Sequence, residues 1–197
     1  DHGVAECFIE EGKKPFVKTD EVIRIGMSGN FLRPDIDRPV LLEIIKTHTD
    51  LLFECFGAYE FKNSNLGGSA DADTKAFIEA LQNAPNVILH GMVRPEVLAK
   101  ELRRMDAFLI CYDVEKDQSK GTNYHKVTEY MVFQRPIISN YFSHENASLI
   151  CALKDKNNDA LFDKIIEYKG GFLNLSSAYP DLKTYSNLNK SILSSLE

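Results

Sequence analysis

The residues with the most chemical capacity for their number lie between Thr122 and Glu129, in the run Thr-Asn-Tyr-His-Lys-Val-Thr-Glu. Small polar residues here lead into a helical pattern, and the unpaired N–H groups of a helix start can hold an anion. Lys126 falls in the first turn, where a cation is unfavourable to the helix dipole unless an anion sits nearby. Glu129 follows three residues later. A carboxylate so placed can accept hydrogen bonds from a ribose diol, as acidic residues do in dinucleotide sites. The plainer account of the same spacing is a solvated Lys126–Glu129 pair on a surface helix. Both accounts stay open on these residues alone.

Histidines offer less. His125 could act as a general base or donate to a phosphate, although a lone loop histidine more often does neither. His90 and His144 each follow an apolar run, which places them near the edge where a parallel sheet binds ligands. No group of His, Asp, Glu or Cys has metal-ligand spacing, and Asp71 and Asp73 read as a helix start. No G-x-S-x-G elbow is present, which argues against a serine hydrolase.

A second polar turn, Gly26-Met-Ser-Gly-Asn30, follows an apolar run. It is not G-x-G-x-x-G, and no G-x-x-x-x-G-K-[ST] occurs, so an ordinary NAD site or P-loop is disfavoured. Gly29 could still let the backbone approach a phosphate, or be a plain turn glycine.

These groups must be positioned by a fold that 197 residues can build as one domain. Strand and helix patterns alternate. Strands are expected at 21–27, 51–56, 86–90, 106–112, 135–139 and, short, 149–153. Helices are expected at 37–47, 73–83, from Pro95 to about Met105, from Thr122 or Asn123 to about Phe133, at 160–168 and at 182–196. Residues 59–70, 113–121 and 169–180 read as loops. Strands alternating with helices imply an α/β fold, a parallel sheet of about six strands with helices on both faces. Ligands of such sheets bind beyond the C-terminal strand ends, where strand order reverses.

Composition limits the function classes. The formal net charge is -6, with 44% hydrophobic and 26% charged residues. An acidic chain argues against general nucleic-acid binding, which needs a basic face, but leaves room for a small anionic ligand. Four cysteines stand far apart with no C-x-x-C pair. Buried thiols in a reducing cytoplasm are expected. No apolar run approaches the about 20 residues of a membrane helix, and no signal peptide is recognisable. The chain begins at Asp1 rather than Met, so it reads as part of a longer protein or as a processed one.

The order of these segments resembles the donor-binding, C-terminal domain of GT-B glycosyltransferases, especially the large retaining family 4 group. The motif His125-Lys-Val-Thr-Glu-Tyr-Met-Val-Phe-Gln-Arg-Pro-Ile-Ile138 is similar to that family's lysine-x-x-glutamate-tyrosine signature, which ends in glycine, a basic residue and proline. Asn86-Val-Ile-Leu-His-Gly91, Asp106-Ala-Phe-Leu-Ile110 and Ile25-Gly-Met-Ser-Gly-Asn30 resemble its strand-and-turn segments. Asp1-His-Gly-Val4 resembles the linker joining the two halves, and Tyr185-Ser186 with the residues after it resembles the helix that crosses back to the first half. The implied division is a linker or extension over 1–20, a single Rossmann-like nucleotide-sugar domain over 21–180, and a crossing helix over 181–197.

The resemblance implies roles. Glu129 matches the residue that holds the donor ribose. Asn123, Tyr124, His125 and Lys126 match the helix start at the diphosphate, and Gly29 and Asn30 match the turn beside it. Gly91, Met92, Val93 and Arg94 match the loop that meets the base. Arg33 and Lys126 are the expected neutralisers of diphosphate charge, and no catalytic residue is assigned. The implied reaction transfers a sugar from a UDP- or GDP-sugar to a hydroxyl acceptor, with helix dipoles and basic side chains in place of a metal, and with no cofactor required. Three positions depart from the pattern. Gly121 stands where many members have a glutamate, Arg33 is the lone cation after the first strand, and Gln134 replaces a glycine. The acceptor-binding N-terminal half is missing from the chain, so transfer by these residues alone is not expected. The full protein is expected to be cytoplasmic, reaching the membrane surface, if at all, through that half, and polysaccharide or glycoconjugate synthesis is the family's usual setting. Two alternatives are a non-catalytic nucleotide-binding or scaffold module and a GT-B-fold sugar epimerase.

Overall fold

A computed structural model describes residues 3–61, 70–113, 116, 125–139 and 150–152. For residues 125 and 150–152 the description is of the backbone. Six strands form one parallel sheet: β1 (Ile23–Ser28), β2 (Leu51–Phe56), β3 (Val87–Gly91), β4 (Ala107–Ile110), β5 (Ile137–Ser139) and β6 (Ile150–Ala152). Their spatial order is β3-β2-β1-β4-β5-β6. The chain starts in the middle, builds outward to one edge, and returns to build the other half. The order therefore reverses between β1 and β4. The expected α/β class and six-stranded parallel sheet are what the structure shows. The expected helices at 160–168 and 182–196 lie outside the described residues.

The strands carry apolar residues on both faces, and alternate positions feed two separate cores. Ile25, Met27, Phe53, Cys55, Leu109 and Cys111 point to one face. There they meet α2 (Arg38–Thr47) and α3 (Ala72–Asn83), whose Leu41, Ile44, Ile45, Phe77, Ile78 and Leu81 are buried. Both helices are capped as their sequences suggest. Asp37 accepts from the Val40 N–H and Asp71 from the Thr74 N–H at 2.7 Å. The buried Asn86 side chain donates to the carbonyls of Ile45 and His48, both at 3.0 Å, and so closes the C-terminal end of α2.

Phe56, Phe108 and Ile110 point to the opposite face. They pack against α1 (Glu6–Gly12), α4 (Pro95–Leu102) and α5 (His125–Met131). The periodicity of the sequence did not signal α1. It is held by long-range contacts: Glu11, buried, pairs with Arg103 at 3.0 Å just past α4, and Phe8 is buried against Phe133. Arg135 lies over the Phe16 ring at 3.7 Å and ties the segment after α1 to the strand entering β5. Cys55 and Cys111 are buried thiols. Desolvation, with a smaller push from Glu54, raises Cys55 to about 12, and desolvation raises Cys111 further. Among the described residues no helix is long and apolar enough to cross a membrane.

Candidate functional site: a crevice between β1 and β4

Strands β1 and β4 pair only at Ile25–Ala107 and Gly26–Phe108. Beyond Gly26 they separate, although β1 stays paired with β2 as far as Ser28–Phe56. The gap opens at the C-terminal strand ends, at the point where strand order reverses, which is where open α/β sheets bind ligands. Met27 to Phe31 line one side of a solvent-open crevice, Leu109 to Tyr112 the other, and Lys126 reaches into it from α5.

Its rims are fixed by backbone bonds. The Gly29 N–H donates to the Phe56 carbonyl and the Phe31 N–H to the Ala58 carbonyl, both at 2.8 Å. The Gly57 N–H in turn donates to the Gly91 carbonyl at 2.7 Å. Three strand-end glycines are thus linked in a row. A β-carbon on Gly57 would overlap the Gly29 carbonyl oxygen, so only glycine allows this approach. The Asn30 side chain accepts from the Leu32 N–H at 3.0 Å and shapes the turn after β1. On the far side Ile36 bridges to Tyr112, the Asp37 N–H donates to the Cys111 carbonyl, and the Asp113 N–H donates to the Asp35 carbonyl.

Lys126 is half-buried and lies against the Gly29 turn. A β-carbon built on Gly29 would stand 3.1 Å from its Nζ and 3.5 Å from the Tyr112 hydroxyl. Burial lowers the Lys126 pKa, Glu129 opposes that shift, and Arg33 adds to it. Glu129 is also half-buried on α5. Burial raises its pKa, and Lys126 partly offsets the rise. Arg33 is engaged elsewhere: its guanidinium forks onto the buried Asp35 carboxylate, with Nε at 2.8 Å from Oδ1.

The other residues singled out in the sequence fall as follows. Gly91 ends β3 with φ of 74°, Met92 is exposed, Val93 is partly buried against the α4 side, and Arg94 is exposed where α4 begins. These four lie at the edge strand, joined to the crevice through the Gly57–Gly91 bond. His125 opens α5, while Asn123, Tyr124 and His144 lie outside the described residues. His90 is directed away from the crevice chemistry by a 2.8 Å contact with the buried Glu54 and by stacking on Phe56 at 4.3 Å. Tyr130 was missed. Its hydroxyl accepts the Ser28 N–H at 2.7 Å and lies 3.0 Å from the Ser28 Oγ. Its place directly after Glu129 in the motif was the available signal. Among the described residues no three His, Cys, Asp or Glu side chains gather as metal ligands.

No protein-family model and no curated protein matches the chain. Solved structures do match it. The Anabaena protein HepE in complex with UDP superposes with a TM-score of 0.62 at 12% identity, over 98% of this chain and 55% of that one. The lipopolysaccharide outer core galactosyltransferase WaaB superposes at 0.59 and 14%, over 92% and 52%. These neighbours are GT-B glycosyltransferases. The fold is a Rossmann-like half of GT-B. Sucrose-phosphate synthase from Thermosynechococcus elongatus agrees, at 0.54 and 14% over 98% of this chain and 50% of that one. The chain spans about half the length of these GT-B structures. At such identities the likeness speaks for the fold.

Proposed function

We propose that this chain is the donor-binding, C-terminal half of a glycosyltransferase, and that the β1–β4 crevice takes the diphosphate and ribose of a UDP- or GDP-sugar. The observation that carries this reading is Lys126 lying over the glycine turn at the switch point, with Glu129 three residues further along α5. A cation taken partly out of water, with no hydrogen bond or ion pair among the described residues, is suited to an anion that arrives from outside. Lys126 and the Gly29 turn would receive the diphosphate and Glu129 the ribose hydroxyls. The donor sugar would project toward the missing acceptor half, and transfer would need that half.

Titration calorimetry with UDP and GDP tests the reading. Binding is expected, and Glu129→Ala is expected to weaken it by about 1.5–3 kcal/mol, the range for a hydrogen bond to a charged group. Unchanged affinity in that variant removes Glu129 from the site. One observation favours a second reading, a non-catalytic module: Arg33 is paired with Asp35, leaving fewer cations for a leaving diphosphate. Absence of heat with either nucleotide supports that reading.

A further inference from the structure

Tyr130 is placed to do more than fill the core. Where β1 and β4 part, the Ser28 N–H has left the reach of β4, whose pairing with β1 ended at Gly26–Phe108. A buried amide there needs another acceptor. The Tyr130 hydroxyl supplies it at 2.7 Å, and a second contact runs to the Ser28 Oγ at 3.0 Å. The phenol ring is fully buried and stacks on Phe108 of β4 at 4.3 Å, with the planes 5° apart. One side chain of α5 therefore touches both strands, bonding β1 through its hydroxyl and packing on β4 through its ring. The residue directly after β1 is Gly29, which faces Lys126 of the same helix as Tyr130.

We infer that Tyr130 is a positioning residue, a wedge that holds β1 and β4 apart and sets the Ser28–Gly29 turn at its distance from Lys126. The inference rests on the donor-site reading for the ligand it serves, but the wedge itself is a property of the ligand-free chain. Tyr130→Phe keeps the stack on Phe108 and deletes the hydroxyl, leaving the Ser28 N–H buried without its acceptor.

Two measurements on Tyr130→Phe decide the matter. Amide hydrogen exchange of the ligand-free protein is expected to accelerate at Ser28 and Gly29 and to stay unchanged in β2 and β3. Affinity for UDP or GDP is expected to fall about ten-fold, the order of one lost hydrogen bond to a buried group. Phe108→Leu separates positioning from packing: it weakens the stack but keeps the hydroxyl, so its unfolding midpoint should drop while affinity changes less than two- to three-fold. Exchange at Ser28 as slow as in the wild type overturns the wedge. Faster exchange with unchanged affinity overturns its role in positioning the site, as does an equal loss of affinity in Phe108→Leu. Wild-type protein that binds neither nucleotide overturns the donor reading, and the exchange result then decides the wedge alone.

Discussion

The ammonium of Lys126 lies so close to Gly29 that a β-carbon at that glycine would stand 2.9 Å from the lysine Cε and 3.1 Å from its Nζ. The two residues are 97 positions apart in the chain, yet a side chain at Gly29 would push the end of the lysine aside. Gly29→Ala should therefore displace the lysine from the turn. Nucleotide affinity should fall about ten-fold, or 1.4 kcal/mol, with little change in the circular dichroism spectrum. Calorimetric titration with UDP checks it, and an alanine variant that binds as tightly as the wild type would show that the lysine position is unimportant.

Lys126 and Glu129 should oppose stability while serving the site. The folded pKa of Lys126 is depressed, so the stability linked to it is present above the lysine's ordinary 10.5 and is lost as pH falls through the folded value. The folded pKa of Glu129 is raised, so its contribution is present below 4.5 and is lost as pH rises through the folded value. For each group the folded state thus disfavours the charged form relative to the unfolded chain. Lys126→Met should raise the unfolding midpoint at pH 7 and abolish most nucleotide binding. A midpoint that drops would assign the lysine a structural role instead.

The same shift gives a pH dependence of binding. A ribose held by ionised Glu129 should be released on acidification around a midpoint above 4.5, because burial raises that carboxyl. Affinity measured against pH, in the wild type and in Glu129→Gln, checks it: the glutamine variant should lose that titration step.

Arg33 should matter less for the ligand than Lys126 and more for the fold than its half-exposed position suggests. Its guanidinium serves the buried Asp35, whose backbone carbonyl also anchors Asp113 across the crevice. Arg33→Ala should cost about 1 kcal/mol of stability, at the low end for an unpaired buried acceptor because the guanidinium is partly solvated. Its effect on nucleotide affinity should be smaller than that of Lys126→Ala. Denaturant titration and calorimetry of both variants give the ranking, and the reverse order would make Arg33 the principal diphosphate cation.

Gln134 occupies a left-handed conformation, with φ of 54°, after the turn that ends α5. A side chain costs about 1–2 kcal/mol there, and glycine recovers it less the entropy of a more flexible unfolded chain. Gln134→Gly should stabilise the protein by about 0.5–1 kcal/mol, or a few degrees in Tm. Gln134 stands where the signature that the 125–138 motif resembles has glycine, and the backbone angle gives the physical reason why glycine suits the position.

Much of the fold was legible because its signals are local. Five apolar residues around Glu54, closed by Gly57, mark β2 at Leu51–Phe56, and Asp37 and Asp71 announce helix starts by the bonds they make to amides three residues on. The alternation of elements was enough for a parallel sheet with two covered faces. Helix α1 was not legible, since its seven residues are held by Arg103 and Phe133, nearly a hundred or more positions away. The site divides in the same way. Its residue types, Lys126 and Glu129 at helical spacing and Gly29 after a strand, were written in the chain. Tertiary structure alone decided that β1 and β4 lie side by side and part beyond Gly26, that Tyr130 meets Ser28 across 102 positions, and that Asp35 takes Arg33 while Lys126 reaches the glycine turn. Periodicity and capping act over a few residues, whereas strand order and the direction of a buried side chain depend on contacts that exist only once the sheet has formed.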